Sequence, residues 1–370
     1  MDIIIKDEWY NIPDSIIKKI GKNLHNKEMH PVNIIKNRIY YFFDSILKRN
    51  FSKFDSFEPF VSTENNFDLL LIPSSHPSRS KNDTFYMNKS TVLRTHTSAH
   101  QNNLLKKGET SFLVTGDVYR KDEINATHYP IFHQMEGLWI VNDGDDPIIE
   151  LKLVLSKLVE FLFPGKEYRF NTDYFPFTEP SFETEVKFGD KWLEILGCGV
   201  THAKILEYNS ISKKAVAFGL GLERLCMIMF DIPDIRLLWT DDPKFLTQFT
   251  SIDSKFLPYS KLSPIKKDIS FWIKNEDIDI LVECDTEIYN WKYINNFFSV
   301  LREICGDNIE NVDLYDKFKN IKTGKISHTF KLTFSPTANF DDSAEFNIIC
   351  NNIMEELRNK INKVCNVELR

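Results

Sequence analysis

An amide and a carboxylate stand two residues apart in an otherwise aromatic and apolar stretch, where Gln134 and Glu136 follow Phe132. Segment 118–141 predicts a strand, a polar loop and a second strand. Because side chains alternate between the faces of a strand, these three should share one face, opposite His133, Met135 and Trp139. Such a strand is expected to be covered by protein, and buried polar groups need partners. The pair could hold a polar ligand, or form part of an internal salt bridge.

A second polar pair, Glu223 and Arg224, interrupts the helix predicted in segment 217–230. Every other residue from Leu222 to Phe230 is apolar. A helix that is apolar on all sides is buried, and a buried arginine needs an anionic partner or ligand. This pair could also be an internal salt bridge. Both pairs in one chain, with an arginine at position 120 before the first, indicate a nucleotide site.

Five stretches, occurring in order, resemble the motifs of the phenylalanyl-tRNA synthetases, in particular the single-chain organellar type of this class II aminoacyl-tRNA synthetase family. The resemblance runs from about residue 60 to the C-terminus. The first, second and third class II motifs are matched by NFDLLLIPSSHPSRSKNDTFY (66–86), the 118–141 segment and AFGLGLERL (217–225). LRTHTSAHQ (93–101) resembles the amino-acid-binding turn, and DYFPFTEPSFE (173–183) the aromatic specificity segment. The resemblance implies an enzyme that activates phenylalanine with ATP and transfers it to tRNA(Phe) as a self-sufficient single chain.

Attack of an amino acid on ATP requires positioning and charge stabilisation rather than a covalent nucleophile. The resemblance makes Arg120 and Arg224 the catalytic residues, on the α-phosphate with the substrate carboxylate and on the γ-phosphate, and the guanidinium fork suits phosphate oxygens. Further ATP-binding residues implied are Asp122 (or Glu123), His128, Phe132, Gly219, Gly221 and Glu223. Mg²⁺ is expected to accompany ATP, with Glu183 and Glu194 as candidate ligands, although a surface carboxylate is the alternative for each.

For the amino acid, the resemblance places the substrate ammonium on Gln134 and Glu136, and an ammonium does prefer an anionic acceptor. His96 and Ser98 complete the polar cage around the ammonium, although their stretch alone could be a helix-entry turn. Phe175 and Phe177, interpreted as alternate residues of one strand, match rings that pack on the substrate phenyl group, and core rings are the alternative. Ala217 matches a small residue at the base of the pocket.

Tyrosine is the competing amino acid that such a pocket excludes least well. An apolar pocket rejects an added hydroxyl by only about 10²-fold. We therefore expect measurable misactivation of tyrosine, with no hydrolytic correction within the chain.

The 370 residues are 42% hydrophobic and 27% charged, which is typical of a soluble globular protein of two or three domains. No apolar run approaches the roughly 20 residues of a membrane span. The net charge of −7 does not show the basic footprint usual for nucleic-acid binding, but local lysine patches remain compatible with tRNA. Six cysteines without a C-x-x-C pair indicate reduced thiols and no zinc site.

The sequence before Arg38 contains acidic residues and no arginine, so no clear presequence is visible. The resemblance implies the mitochondrial matrix, with plastid or cytoplasm as alternatives. We expect a monomer.

The fold class expected is α+β, with four parts: a helical extension (1–60), a class II catalytic domain built on an antiparallel sheet (61–245), a linker (246–264) and a ferredoxin-like anticodon-binding domain (265–370). The last part shows a β-α-β-β-α-β order. Candidate tRNA contacts are Lys266, Lys267, Lys319 and Lys322, together with Lys317 and Lys325, and a solvated lysine-rich hairpin is the alternative.

Three other functional interpretations stay open from the sequence: the α subunit of a two-subunit synthetase, a catalytically inactive paralogue retained for RNA binding, and a class II synthetase with another specificity.

Overall fold

A computed structural model describes residues 6–258, 262–283, 286–336 and 342–370. Its helices are α1 Asp14–Ile17, α2 Pro31–Tyr41, α3 Thr63–Asn66, α4 Gln101–Lys106, α5 Pro147–Leu162, α6 Ala203–Tyr208, α7 Leu222–Phe230, α8 Pro243–Leu246, α9 Ile294–Cys305 and α10 Ser343–Val364. The strands are β1 Ser52–Phe54, β2 Phe60–Ser62, β3 Tyr86–Asn88, β4 Thr91–Leu93, β5 Ser111–Tyr119, β6 Ile131–Ile140, β7 Tyr168–Phe175, β8 Thr178–Phe188, β9 Lys191–Thr201, β10 Ala215–Gly221, β11 Ile265–Ile273, β12 Ile278–Glu283, β13 Thr286–Trp291, β14 Ile309–Lys319, β15 Ile326–Phe334 and β16 Glu368–Leu369.

A seven-stranded sheet in the order β1-β5-β6-β10-β9-β8-β7 forms the centre of the larger unit. Its pairings are antiparallel except that β1 runs parallel to β5. The expected α+β class with an antiparallel sheet is confirmed. Helices α2, α5 and α7 cover one face, where Ile35, Leu155 and Leu225 are fully buried.

The opposite face of this sheet packs against α4 and α6. Leu138 of β6 and Ala217 of β10 belong to the buried cluster on this side, whereas Trp139 belongs to the cluster on the other side. The predicted alternation along β6 is therefore confirmed, since neighbouring side chains enter different cores. Gln134 and Glu136 share the face of Leu138, so this face carries the candidate site.

Three details near the ends of the larger unit differ from the expectations. The apolar run FDLLLI (residues 67–72) predicts a strand, but Asp68–Leu70 form a 3₁₀ helix that follows α3, whose N-terminus is capped by the Ser62 hydroxyl. Strand β1 lies within the predicted extension, so the proposed boundary at residue 60 divides the central sheet. Within the predicted linker, Phe249 is fully buried and stacks edge-on against Phe230, so the start of that segment packs on the core.

The C-terminal unit has the predicted β-α-β-β-α-β order, with β11, α9, β14, β15, α10 and β16. Its sheet runs β14-β15-β11-β16, and every pairing is antiparallel. Helices α9 and α10 cover one face, over Phe271, Phe330 and Leu332. The hairpin β12–β13 was not predicted, and it is inserted between β11 and α9.

No helix in the described part of the chain combines the length and the apolar character that a membrane span requires. Cys198, Cys226, Cys305, Cys350 and Cys365 are free and buried, in agreement with the expectation of core thiols. Cys284 lies outside the described residues.

Candidate active site

A cavity of about 650 Å³ lies on the β6–β10 face of the seven-stranded sheet. Its predicted residues come from five separate stretches of sequence. The predicted site residues that line it are His96, Ser98, Arg120, Asp122, His128, Phe132, Gln134, Glu136, Phe175, Phe177, Glu194, Ala217, Gly219, Gly221, Glu223 and Arg224. The cavity therefore joins almost every residue that the resemblance implies for phenylalanine and ATP.

One carboxyl group lies deep in the cavity on β6, where Glu136 is 3% exposed. Ser98 donates a hydrogen bond through Oγ to Oε2 of Glu136, and Gln101 donates one through Nε2 to Oε1. Burial raises the pKa of Glu136 to about 7, although these two donors favour the ionised form. Among the described residues the carboxylate has no cationic partner, which prepares it for a cationic ligand.

Gln101 is a site residue that the sequence analysis missed. It stands at the first position of α4, three residues after Ser98, and a 3₁₀ turn over Thr97–His100 leads into the helix. Residues three apart on a helical turn share a face. This spacing, read together with the turn, could have identified Gln101 as the second donor to Glu136.

Gln134 is tied to the same turn. The backbone N–H of Thr97 donates to Oε1 of Gln134 at 3.3 Å. The ring of His96 lies 6.1 Å from that of Phe177, centroid to centroid. Burial lowers the pKa of His96 to about 3, so its ring is neutral and does not repel a bound ammonium.

Two aromatic rings form the apolar part of the cavity near this cage. The rings of Phe175 and Phe177 stack with centroids 5.8 Å apart and planes 14° apart. The prediction that both belong to one strand was wrong, because β7 ends at Phe175 and Pro176–Phe177 form the turn to β8. Gly197 allows this arrangement, since a Cβ there would lie 2.8 Å from the Phe175 ring.

Arg120 lies between the amino-acid cage and the open part of the cavity. Its Nε donates to the backbone oxygen of Thr95 at 2.8 Å. Its guanidinium carbon lies 5.3 Å from the centroid of the Phe132 ring. The side chain is thereby held at the C-terminal end of β5, beside the turn that carries His96 and Ser98.

The interpretation of Glu223 and Arg224 as one buried charge pair was wrong. Glu223 is 2% exposed and accepts hydrogen bonds from His133, at 2.7 Å from the backbone N–H and 2.6 Å from Nδ1. Arg224 has a side chain that is 47% exposed. Successive helical positions point about 100° apart. Both residues border the cavity, but the Glu223 carboxylate is directed to His133 of β6, and the Arg224 guanidinium is directed to Glu194 of β9.

Arg224 is held at the open end of the cavity by Glu194 of β9. Its Nη1 donates to the backbone oxygen of Glu194 at 2.9 Å and lies 3.3 Å from Oε2. Both side chains are about half exposed. Gly219 and Gly221 border the same space, and a Cβ at either would meet no atom within 4 Å. This end therefore presents a guanidinium and leaves open space beside the two glycines, as a triphosphate requires.

The remaining candidates separate into those at the cavity and those away from it. Asp122 lines the cavity, whereas Glu123 accepts from Asn125 at 2.9 Å. Glu183 lies away from the cavity lining and accepts from Asn171 at 3.1 Å. In the described residues no group of three or more His, Cys, Asp or Glu side chains could hold a metal ion. Mg²⁺ bound by ATP keeps most of its ligands as phosphate and water, so a single nearby carboxylate such as Glu194 is compatible with it.

The lysine candidates for tRNA lie on the C-terminal unit, away from the cavity. Lys266 and Lys267 are successive residues of β11 and so point to opposite faces. Lys267 contacts Asn351 of α10 through Nζ at 2.8 Å, on the helix-covered side. Lys319 ends β14, and Lys322 lies in the turn that follows. The four lysines do not form one patch.

The sequence of this chain is similar to that of known proteins over its full length. The family described as tRNA synthetases class II core domain (F) matches residues 15–249. The chloroplastic/mitochondrial phenylalanine–tRNA ligase of Arabidopsis thaliana is 45% identical over 100% of this chain and 85% of its own length. The mitochondrial phenylalanine–tRNA ligase of Dictyostelium discoideum is 40% identical over 95% and 88%. The phenylalanine–tRNA ligase alpha subunit of Hamiltonella defensa subsp. Acyrthosiphon pisum is 41% identical, over 62% of this chain and 70% of the subunit.

Proposed function

The chain belongs to the phenylalanine–tRNA ligase family of class II aminoacyl-tRNA synthetases, and we propose that it activates phenylalanine with ATP in this cavity and transfers it to tRNA(Phe). One observation carries the proposal. A buried carboxylate, Glu136, a pair of aromatic rings and the guanidinium of Arg120 line one cavity. These three features complement the ammonium, the phenyl group and the carboxylate of a single amino acid.

The residues then have the following roles in our proposal. Glu136 and Gln134 bind the ammonium of phenylalanine, with Ser98, Gln101 and neutral His96 around them. Phe175 and Phe177 pack on the phenyl ring, and Ala217 forms the base of the pocket. Because the cage on β6 and the rings at the β7–β8 turn stand on separate elements, the amino acid is fixed at both of its ends.

Arg120 aligns the phenylalanine carboxylate with the α-phosphate of ATP. An oxygen of that carboxylate attacks phosphorus, the bond to the bridging oxygen breaks, and pyrophosphate leaves with the electron pair. Positive charge held in place stabilises the phosphorus in the transition state. A terminal ribose hydroxyl of tRNA then attacks the phenylalanyl carbonyl, loses its proton and displaces AMP.

ATP occupies the open end of the cavity in this proposal. Phe132 stacks on adenine, Gly219 and Gly221 leave room for the nucleotide, and Arg224 binds the γ-phosphate after leaving Glu194. Asp122 and His128 border the same end, and Glu223 holds the start of α7 through His133. Mg²⁺ enters with ATP as part of the substrate, next to Glu194.

The C-terminal unit is the proposed binding site for the anticodon region of tRNA. Its sheet face opposite α9 and α10 carries Trp272, Tyr315 and Phe318, and the last two are 65% and 40% exposed. Arg370 lies 5.2 Å from the Trp272 ring and 5.1 Å from the Phe318 ring. Exposed aromatic rings with adjacent cations are suited to stacking on unpaired bases. These rings are therefore stronger candidates than Lys266, Lys267, Lys319 and Lys322.

We propose a mitochondrial location, in the matrix, because the similar proteins of Dictyostelium discoideum and other organisms are named as mitochondrial. A plastid remains the alternative, since the Arabidopsis thaliana protein is named chloroplastic/mitochondrial. We also propose that the chain is a monomer. The alpha-subunit interpretation is disfavoured, because the match to such a subunit spans 62% of this chain, whereas the match to the phenylalanine–tRNA ligase of Arabidopsis thaliana spans all of it.

ATP–pyrophosphate exchange by the purified chain, with each of the twenty amino acids, tests this proposal. We expect phenylalanine to drive exchange, tyrosine to drive it more weakly, and Arg224→Ala to weaken it about 10²-fold. Exchange driven best by another amino acid would refute the specificity. A folded monomer that shows no exchange with any amino acid would favour the inactive-paralogue or missing-partner interpretation.

A further inference from the structure

Part of the edge of strand β5 is paired by a single residue, Arg94, through both its backbone and its side chain. Strand β1 pairs with β5 only along Ser52–Phe54, opposite Phe112–Val114. Farther along this strand, Arg94 makes the ladder contacts. The N–H of Tyr119 donates to the backbone oxygen of Arg94 at 2.9 Å, and Nε of Arg94 donates to the backbone oxygen of Asp117 at 2.6 Å.

The guanidinium of Arg94 is 1% exposed and has acceptors on all of its nitrogens. Nη2 donates to Oδ1 of Asp117 at 2.5 Å. Nη1 donates to the backbone oxygen of Phe57 at 3.1 Å and to Nε2 of His100 at 2.9 Å. The hydroxyl of Tyr119 donates to the other carboxylate oxygen of Asp117. A planar fork with this many fixed acceptors can occupy one orientation.

Gly116 shows how closely this guanidinium approaches the strand. A Cβ at position 116 would lie 2.2 Å from Nη2 of Arg94 and 2.8 Å from its Cζ. Every residue except glycine would push the guanidinium away from Asp117. The backbone of β5 and the side chain of Arg94 are thus matched to each other.

The residues that follow Arg94 carry the proposed phenylalanine cage. Ser98 and Gln101 donate to Glu136, the N–H of Thr97 donates to Gln134, and the oxygen of Thr95 accepts from Arg120. Arg94 stands at the start of this turn, and its contact to His100 reaches the other end. The guanidinium of Arg94 therefore links both ends of the turn to β5, and the contact from Arg120 to Thr95 adds a second attachment.

We propose that Arg94 is a positioning residue for the amino acid substrate, acting through the turn 95–101. This inference rests on the proposed function of the cavity. Arg94 does not line the cavity itself. Its role is to hold the Ser98 and Gln101 donors at the distance from β6 at which Glu136 accepts both. Arg224, Gly219 and Gly221 at the ATP end stand on α7 and β10, outside this turn.

Arg94→Lys tests the inference, because lysine keeps the charge and loses the fork. Exchange is measured with phenylalanine varied at saturating ATP and with ATP varied at saturating phenylalanine. We expect the KM for phenylalanine to rise about tenfold or more and the KM for ATP to stay within about twofold. Tyr119→Phe removes only the hydroxyl that supports Asp117, and we expect it to raise the KM for phenylalanine about threefold.

Asp55→Asn is the matched control. It breaks a different ion pair, in which the carboxylate lies 2.8 Å from the largely buried Nζ of Lys36. We expect this control to lower Tm without separating the two KM values. Equal changes in both KM values for Arg94→Lys, or a lower Tm with neither KM changed, would overturn the positioning role. If Arg94→Lys does not fold, an unchanged KM for phenylalanine in Tyr119→Phe overturns it instead.

The proposed function and the positioning role fail in different ways. If an amino acid other than phenylalanine drives exchange by the wild-type chain, the proposed specificity is wrong. The role of Arg94 is then decided by whether Arg94→Lys raises the KM for that amino acid more than the KM for ATP. If the wild-type chain shows no exchange at all, calorimetric binding of phenylalanine to wild type and Arg94→Lys decides it, and equal affinities overturn the inference.

Discussion

At the phenylalanine end of the cavity the decisive charge, on Glu136, is 3% exposed, whereas at the ATP end the side chain of Arg224 is 47% exposed. Glu136 receives hydrogen bonds from neutral donors and has no cationic partner in the contacts that surround it. Arg224 already contacts an anion, Glu194. The phenylalanine end thus contains a desolvated carboxylate without an ionic partner. The ATP end contains a cation whose charge is screened by solvent.

The difference indicates how the two substrates are selected. Desolvation makes the ionised form of Glu136 costly, and a bound ammonium removes that cost, so the energy of the pair depends on the correct ligand being present. Arg224 exchanges one anion for another in contact with water, which changes its free energy little. We therefore expect substitutions at the phenylalanine end to have larger effects than those at the ATP end.

The largest effect is expected for Glu136→Gln, which keeps the shape and removes the charge. Loss of one partner of a buried charged pair costs about 2–5 kcal/mol, so kcat/KM for phenylalanine should fall roughly 10³-fold, measured by pyrophosphate exchange. The KM for ATP should not change. A loss of less than about tenfold would show that the ammonium binds elsewhere.

The same substitution should stabilise the empty protein. The folded pKa of Glu136 is raised to about 7, above the value near 4.5 of an unfolded glutamate. The carboxylate therefore destabilises the fold fully above pH 7 and not at all below about pH 4.5, by as much as about 3 kcal/mol. Glu136→Gln should raise Tm at pH 8, with a difference that shrinks toward pH 5. An equal or lower Tm at pH 8 would contradict this.

The next effect concerns the ATP end. Arg224→Ala should lower kcat/KM for ATP about 10²-fold, since one preorganised cationic donor typically contributes that much. The KM for phenylalanine should change less than threefold by the same measurement, because Ser98, Gln101 and Glu136 stand on elements other than α7. A larger change in kcat/KM for phenylalanine than for ATP would show that the two ends of the cavity are not independent.

Ala217→Val probes the apolar part of the phenylalanine end. Extra methyl groups at the base of the pocket should reduce kcat/KM for phenylalanine about 30-fold, within the usual range for added bulk in an apolar pocket. The KM for ATP serves as the internal control. An unchanged value for phenylalanine would place the ring away from Ala217.

The smallest effect is expected for Glu194→Gln. The ion pair with Arg224 is half exposed and worth at most about 1 kcal/mol, so the KM for ATP should change less than fivefold. The Mg²⁺ concentration that supports half-maximal exchange is measured in parallel. An increase of tenfold or more in that concentration would assign Glu194 as a metal ligand.

Regular local geometry explains which features could be predicted from the sequence. The alternation along β6 placed Gln134 and Glu136 on one face because a strand has a period of two that its neighbours do not alter. The order of elements in the C-terminal unit was predicted for the same reason, since each helix and strand has its own periodicity.

The errors arose where the direction of a side chain depends on distant parts of the chain. Glu223 and Arg224 are adjacent in sequence, but Glu223 accepts from His133 of β6, whereas Arg224 donates to Glu194 of β9. Phe175 and Phe177 share a face through a turn that contains Pro176, not through a strand. To identify Gln101, one must know how the turn before α4 orients its side chain. To identify the role of Arg94, one must know which backbone groups of β5 lie at the edge of the sheet.

The most direct test of the comparison is the pH dependence of the two KM values between pH 6 and pH 8.5, measured by phenylalanine-dependent pyrophosphate exchange. Because Glu136 must be ionised to bind the ammonium and has a pKa of about 7, the KM for phenylalanine should be constant above pH 7 and should rise toward tenfold per unit below it. The KM for ATP should stay flat. A KM for phenylalanine that does not change with pH, or that changes in parallel with the KM for ATP, would contradict a desolvated carboxylate at the phenylalanine end.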